Sequence, residues 1–187
     1  MVQATVRPLS LPEFLEFPET KPASEFIDGE IVQKPMPKGR HSRLQGTLTT
    51  TLNQVIESPR IALALPELRC SFGSRSIVPD VAVFTWERIP FTESGEIPDD
   101  FLIAPDWVIE ILSPEQSSLK VIDNILYCLQ AGTRLGWLLA PDDRSILAFL
   151  PGQEPVMLTG DNRLLVLPEI PLDLTANTVF DWLKLNG

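Results

Sequence analysis

Two short segments, residues 81–84 and 107–112, constrain the fold most strongly, because each is a nearly continuous run of apolar residues. β-branched and aromatic side chains dominate both runs, as is typical of strands that are buried on both faces of a sheet. A sheet of this kind needs helices on its two faces. The chain is therefore predicted to be an α/β protein with a central sheet flanked by helices.

The other predicted elements fit this layered arrangement. Asp28 and Gly29 lie between two short apolar pairs, which indicates a β-hairpin near the N-terminus. Apolar residues recur every three or four positions in two further segments, as in amphipathic helices. The complete prediction has helices at 42–57, 118–131 and 180–184, and further strands at 61–65, 70–72, 136–140, 145–150 and 156–158.

The length of 187 residues suits a single domain. Residues 1–23 contain four of the eighteen prolines and are predicted to form an extended arm with one short helix near 11–17, which leaves 24–187 as the domain. No apolar run reaches the length of a membrane span, and the N-terminal segment lacks the apolar core of a signal peptide. We therefore expect a cytoplasmic protein without a membrane partner. Cys70 and Cys128 lack the spacing of a zinc site and are predicted to be buried thiols.

The formal charge of −10 argues at first against a nucleic-acid partner, because phosphate binding needs a surplus of Lys and Arg on the contact surface. The charge is unevenly distributed. Residues 31–79 carry seven basic residues and two acids, a net charge of +5, so the remainder of the chain carries −15. This basic region is a candidate phosphate-binding surface, although such asymmetry also arises by chance or serves solubility.

Asp80 and Glu110 are the most informative polar residues, because each belongs to one of the two apolar strands. A buried carboxylate without a partner is strongly unfavourable, so each acid needs a proton, a cationic partner or a metal. One shared metal ion would satisfy both acids, and Mg²⁺ is often held by only one or two protein carboxylates. The alternative is that each acid ends a strand or pairs with a basic residue.

Several motifs occur in a fixed order between residues 24 and 150. The Asp-Gly hairpin is followed by a Pro-rich turn that leads to His41 and by the Pro79-Asp80-Val81 motif. The motif at 105–114, the helix after it, Gly132 and Trp137-Leu138 come next. Together these motifs resemble the Uma2 family of endonucleases, which is abundant in cyanobacteria and belongs to the PD-(D/E)xK superfamily. The resemblance implies a restriction-endonuclease-like fold with a mixed central sheet.

The resemblance also implies roles for individual residues. Asp80 and Glu110 would bind Mg²⁺, with Mn²⁺ as the other candidate ion, and a nearby lysine would position or activate the attacking water. The superfamily motif expects that lysine two residues after Glu110, where this chain has Leu112. Many Uma2-like chains instead have an Asp and then a Lys four residues later on the following helix, where this chain has Lys120 and Asn124.

Lys120 is consequently the predicted third catalytic residue, because positions four apart share one face of a helix. An exposed lysine in the first turn of the helix is the alternative. Two accessory residues are also predicted. His41, which precedes the first long helix, matches a histidine that is frequent in the family, and Glu30 is a candidate acid of the same cleft. A helix-capping histidine and an exposed hairpin glutamate are the alternatives.

The chain lacks the glycine motifs of nucleotide-triphosphate sites and the G-x-S-x-G motif of acyl-transfer enzymes. The leading hypothesis is therefore a Mg²⁺-dependent endonuclease that hydrolyses DNA phosphodiester bonds. The second is a nucleic-acid-binding or regulatory protein that keeps the nuclease fold without turnover, and the third is a protein-interaction module. By resemblance, a homodimer that addresses both strands of a duplex is expected.

Overall fold

Two β-sheets organise the computed structural model, which describes residues 9–114 and 116–185. The helices are α1 (Leu11–Leu15), α2 (Gly39–Ile56), α3 (Ser118–Gln130) and α4 (Ala176–Asp181), with a 3-10 turn at Trp86–Arg88. The strands are β1 (Ser24–Ile27), β2 (Glu30–Gln33), β3 (Ala62–Pro66), β4 (Cys70–Phe72), β5 (Arg75–Ile77), β6 (Val81–Thr85), β7 (Trp107–Ile111), β8 (Leu135–Ala140), β9 (Ser145–Phe149) and β10 (Val156–Thr159).

The larger sheet has the strand order β10-β9-β8-β7-β6-β3. Strands β7 and β8 are parallel and are joined through α3, whereas every other neighbouring pair in this sheet is antiparallel. The predicted mixed central sheet is thereby confirmed. The two most apolar predicted strands, β6 and β7, are adjacent and lie in the interior of this sheet.

The smaller sheet has the order β2-β1-β5-β4. The predicted hairpin β1-β2 is confirmed, and both residues of its turn have positive φ angles, +50° at Asp28 and +90° at Gly29. Such angles favour Asp and Gly over other residues, which explains the sequence signal. Strand β5 was not predicted, because its sequence, Arg-Ser-Ile, contains a single apolar residue.

Each face of the larger sheet covers a separate apolar core, because alternate side chains of a strand point to opposite faces. On one face, Trp107 and Ile109 of β7 pack with the apolar stripe of α2. On the other face, Val108 packs with Ile125 of α3 and with the smaller sheet. Glu110 has the same parity as Val108, so its side chain faces α3 and the hairpin rather than α2.

Helix α3 approaches the sheet closely at Gly136 in β8. A Cβ atom at this position would lie 2.4 Å from Cγ2 of Ile125, a distance that real Cβ contacts do not reach. The missing side chain therefore sets the separation of helix and sheet. Both cysteines are buried free thiols in the core beneath α3, as predicted.

Most predicted elements are confirmed to within a few residues, but the closing helix lies earlier than predicted, at α4 rather than 180–184. Its start coincides with Thr175, whose side chain caps the helix by accepting a hydrogen bond from the Thr178 amide. Helix α1 lies in the predicted N-terminal arm, of which residues 1–8 fall outside the described residues. Among the helices of the described part of the chain, none is long and apolar enough to cross a membrane.

Candidate active site

Asp80 and Glu110 meet because β6 and β7 are antiparallel neighbours. Val81 pairs with Ile109, so continuation of this register places Asp80 opposite Glu110. Both side chains are buried, with 2% and 4% of their residue surface exposed. Oδ2 of Asp80 accepts a hydrogen bond of 2.7 Å from the Ile111 amide, which fixes the carboxylate against β7. The two predicted acids therefore form one buried pair.

Lys34 lies between the two acids, and its importance was not predicted from the sequence. Its Nζ atom donates to Oδ1 of Asp80 at 2.8 Å and to the Val78 carbonyl at 2.7 Å, and it lies 3.4 Å from Oε2 of Glu110. Lys34 directly follows β2, so the hairpin delivers this cation to the larger sheet. The ammonium group thus occupies an oxygen-lined position shared by both carboxylates.

A third buried carboxylate, Glu25 of β1, completes the acidic cluster. Its Oε1 accepts a hydrogen bond of 2.8 Å from the Val78 amide, and Nδ2 of Asn124 donates to its Oε2 at 3.2 Å. Oε1 of Glu110 and Oδ1 of Asn124 are buried acceptors for which the described residues supply no donor. An unpaired buried acceptor is costly, so these two oxygens lower the stability of the fold unless a further group binds them.

His41, predicted as an accessory residue, lies beside this cluster. Its Nε2 lies 3.3 Å from Oδ1 of Asp80, and its Nδ1 lies 3.2 Å from Oγ of Ser113. One turn further along α2, Nε2 of Gln45 donates to the Asp80 main-chain carbonyl at 2.9 Å. The first turns of α2 therefore hold the Asp80 end of the site.

The cluster has strongly perturbed pKa values. Burial by itself would raise the pKa of Asp80, but the Lys34 ammonium and the contact with His41 lower it to about 2. Burial raises the pKa of Glu110 well above its ordinary value, and Lys34 only partly opposes this. Burial would lower the pKa of Lys34, but the surrounding acids, Glu110 foremost, raise it instead. One carboxylate of the pair is therefore firmly ionised, while the other is protonated more readily than an ordinary glutamate.

Two cavities meet at Lys34. The larger, of about 730 Å³, is lined by Glu25, Glu110 and Asn124 and opens between the hairpin and α3. The smaller, of about 440 Å³, is lined by His41 and Asp80. Lys34 lines both, so the two acids of the central pair face separate cavities with the ammonium group between them. The buried acid pair therefore lies between two cavities.

An arginine clamp holds the walls of the larger cavity together. Nη2 of Arg75 donates to Oδ2 of Asp28 in the hairpin turn at 2.6 Å, and its Nη1 donates to Oδ2 of Asp123 on α3 at 2.7 Å. The guanidinium carbon also lies 4.4 Å from the centre of the Tyr127 ring. These contacts join the hairpin to α3, which fixes the distance across the cavity.

The comparisons with known proteins agree with this geometry. The sequence model of Uma2, described as "Putative restriction endonuclease", matches residues 11–179. The chain belongs to the Uma2 family. A solved structure from Anabaena variabilis, described as "a putative nuclease belonging to DUF820", shares 50% sequence identity with the chain and superimposes with a TM-score of 0.93. The alignment covers 95% of this chain and 100% of the Anabaena chain, and the search of curated proteins returns no match. The nuclease-like fold is confirmed.

The other residues predicted from the Uma2 resemblance lie at the edge of the site. Lys120 and Glu30 are both exposed, and both line the larger cavity together with Glu110. Within residues 9–114 and 116–185, the Lys120 side chain makes no hydrogen bond or ion pair. Lys120 thus shares the cavity of the acidic cluster, whereas Lys34 contacts the acids directly.

The basic region predicted as a phosphate-binding surface is largely occupied with internal ion pairs. Besides the clamp at Arg75, Arg69 pairs with Glu19 and Arg40 pairs with Asp142. Four of the seven basic residues of this region, Lys34, Arg40, Arg69 and Arg75, are thus paired with acids of the described chain. Lys34 and Lys120 are the lysines of the larger cavity among the described residues.

The chemistry of the Uma2 site fits a hard divalent cation. The atoms around Nζ of Lys34 are carboxylate and carbonyl oxygens, which are the ligands that Mg²⁺ and Mn²⁺ prefer. Oε1 of Glu110 adds an unpaired oxygen. No cluster of three or more His, Cys, Asp or Glu arranged to hold a metal is found in the described part of the chain. A bound ion would therefore rest on Asp80 and Glu110, with the other positions left for water or substrate.

Proposed function

We propose that this Uma2 protein is a metal-dependent endonuclease that hydrolyses DNA phosphodiester bonds, with Asp80 and Glu110 as the ligands of Mg²⁺ or Mn²⁺. The family and the Anabaena neighbour support a nuclease function in general. The observation that carries the proposal is the convergence of two buried carboxylates from adjacent strands on a single cation position, now held by the Lys34 ammonium. Few structural roles require two buried acids around one cation.

The residues of the chain prepare this position in distinct ways. The Ile111 amide holds Asp80 in place, and His41 and Lys34 keep it ionised. Glu110 presents its unpaired Oε1 toward the larger cavity. When bound, the metal would polarise the phosphodiester and lower the pKa of its water. The larger cavity, open between the hairpin and α3, is wide enough to admit a phosphate group beside Glu110.

The assisting amine has two candidates. Lys120 was predicted from the sequence and remains a prediction, supported by its place on the wall of the larger cavity. Lys34 is supported by direct contact with Asp80 and by its proximity to Glu110. A homodimer, which would bring two such centres to the two strands of a duplex, is part of the same proposal and is tested by measurement of the molar mass in solution.

Cleavage of plasmid DNA tests the proposal. Parent protein, Asp80→Asn and Glu110→Gln are incubated with plasmid in Mg²⁺, in Mn²⁺ and in EDTA. We expect cleavage only with the parent and a divalent ion, and a loss of about 100-fold or more in either variant, because each removes a metal ligand. Asp142→Asn, an exposed acid in the turn between β8 and β9 that lines neither cavity, is the matched control and should cleave like the parent. If Asp80→Asn cleaves at the parent rate, the proposal is wrong.

A second function, DNA binding without turnover, is favoured by one observation: the lysine positions expected from the family hold Leu112 and Asn124. In that case the protein would bind DNA with a salt-dependent affinity that Mg²⁺ does not change, and prolonged incubation would yield no product. A fluorescence-anisotropy titration of labelled duplex at two salt concentrations, with and without Mg²⁺, separates this outcome from the first.

A further inference from the structure

We propose that Lys34, rather than Lys120, is the catalytic amine of this centre, and that its ammonium group occupies the metal position until a divalent ion displaces it. Only the catalytic part of this inference rests on the proposed nuclease function. The part that concerns cation exchange can be tested whether or not the protein cleaves DNA.

The contacts of Lys34 are those of a resident cation. An ammonium group has three N–H donors and no acceptor. Nζ has three oxygen neighbours, from Val78, Asp80 and Glu110, at 2.7, 2.8 and 3.4 Å. Two of these neighbours are the proposed metal ligands. A divalent ion cannot bind both carboxylates while the ammonium group remains between them, since the two cations would repel each other at contact distance.

The position of Lys34 in the chain allows its head group to move while its backbone stays in place. The Lys34 amide donates to the Ala23 carbonyl at 2.9 Å, which extends the β1-β2 ladder, and Pro35 follows directly. The side chain, 15% exposed, lies where the two cavities meet. Rotation about the side-chain bonds can therefore carry Nζ into open space without a change in the hairpin.

The acidic cluster also provides a destination for the displaced ammonium group. Glu25 attracts Lys34 electrostatically and lines the larger cavity beside Glu110. The cluster contains three buried carboxylates for one lysine, so it can hold a divalent ion and the ammonium group together. In this position the Lys34 ammonium group remains next to the proposed metal ligands, where it can donate a hydrogen bond to the attacking water or to a phosphate oxygen.

The experiment combines two measurements on Lys34→Gln. Removal of the competing cation should strengthen Mn²⁺ binding about tenfold in isothermal titration calorimetry, within the usual range of coupling between two sites. Cleavage of plasmid DNA in saturating Mn²⁺ should fall by about 100-fold or more, because the amine is lost. A residue with a merely structural role would not move these two readouts in opposite directions.

Two further variants complete the design. Lys34→Arg keeps the charge and protects the fold, so Mn²⁺ binding should stay near the parent value. Cleavage should nevertheless fall about 100-fold, because a larger, planar guanidinium does not reproduce the contacts of a compact ammonium group. Lys184→Gln, a surface lysine paired with Asp181 near the C-terminus, is the matched control and should resemble the parent in both measurements.

The outcomes are distinguishable. Parent-like cleavage by Lys34→Gln or Lys34→Arg overturns the catalytic part of the proposal. Loss of cleavage in Lys120→Gln would then identify Lys120 as the catalytic amine. Unchanged or weaker Mn²⁺ binding by folded Lys34→Gln overturns the exchange part. If the parent itself cleaves no DNA, the proposed function fails, while tighter Mn²⁺ binding by Lys34→Gln still supports the exchange of cations at this position.

Discussion

Two Pro-Asp dipeptides, at Pro79-Asp80 and Pro105-Asp106, look alike in sequence and serve different purposes in the structure. Each directly precedes an interior strand, and each aspartate is 2% exposed. Because β6 and β7 are antiparallel, the dipeptides lie at opposite ends of the same strand pair. Each carboxylate accepts a hydrogen bond from a main-chain amide of the other strand, at 2.7 Å for Asp80 and 2.8 Å for Asp106.

The difference lies in what faces each aspartate. Asp106 also accepts hydrogen bonds from the Thr85 hydroxyl at 2.9 Å and from Nη1 of Arg88 at 2.7 Å, so one carboxylate meets one cation and ample donors. Asp80 faces Glu110, and a single ammonium group serves both acids. A buried acid with a complete set of partners anchors the fold. A second acid opposite the first creates a deficit of positive charge, which the proposed metal ion would supply.

The largest expected effect is a loss of stability on substitution of Asp106, the aspartate that has a complete set of partners. Asp106→Ala leaves the Thr85 amide and the Arg88 guanidinium without their partner, which should lower the free energy of unfolding by about 3–5 kcal/mol. Urea denaturation at pH 7 measures the change. A loss below about 1 kcal/mol would show that Asp106 is not the anchor described here.

Substitution of Glu110 should raise the free energy of unfolding, by less than the loss expected at Asp106. The pKa of Glu110 is higher in the folded protein than in the unfolded chain, so the folded protein favours the protonated side chain. The stability that this protonated side chain contributes is therefore lost as the pH rises from about 4.5 through the raised pKa. Glutamine cannot ionise. Glu110→Gln should therefore be more stable than the parent at pH 8 by about 1–2 kcal/mol, and the difference should shrink at pH 5. Urea denaturation at both pH values tests this, and a destabilised variant at pH 8 would contradict it.

Added Mg²⁺ should distinguish the Asp80 end of the strand pair from the Asp106 end, because only the former is proposed to bind the ion. With a dissociation constant of about 1 mM, 10 mM Mg²⁺ would stabilise the parent by about 1.4 kcal/mol. Thermal unfolding should show this gain for the parent and for Asp106→Ala, whose metal ligands are intact, but not for Glu110→Gln. An equal gain in all three proteins would place the ion elsewhere.

The smallest expected effect concerns Lys120. Its exposed side chain lacks partners among the described residues, so Lys120→Ala should change the free energy of unfolding by less than about 0.5 kcal/mol. The matching substitution at Lys34 removes a cation from three buried acids and should have a far larger effect. Urea denaturation of both variants compares the two lysines, and similar values would remove the distinction between them.

The sequence allowed the fold and the acidic pair to be predicted for one physical reason. Interior strands must be apolar, so an acid within such a strand stands out without any knowledge of its neighbours. Asp80 and Glu110 were identified in this way, and the antiparallel register of β6 and β7 then brought them together. The Asp28-Gly29 turn and the two long helices were equally visible, because each has a local pattern.

The residues that complete the site lack such a pattern. Lys34 lies in a Pro-rich segment without periodicity, and its contact with Asp80 spans 46 positions of the chain. The hairpin is held near Asp80 through the pairing of β1 with β5, in strands of four and three residues. Glu25 offered the one usable signal, since it precedes Phe26-Ile27 in a predicted strand, just as Glu110 lies among apolar neighbours.

The absent side chain at Gly136 has a consequence that reaches beyond local packing. Ile125 rests directly over this glycine, and Asn124 is its neighbour on α3, with its amide on Glu25. The depth of the ligand cavity is therefore set by a residue that touches neither acid. A methyl group added at Gly136 would force Ile125 or its surroundings to shift, so a substitution there can act on the cavity wall through Asn124 while the acids themselves stay unchanged.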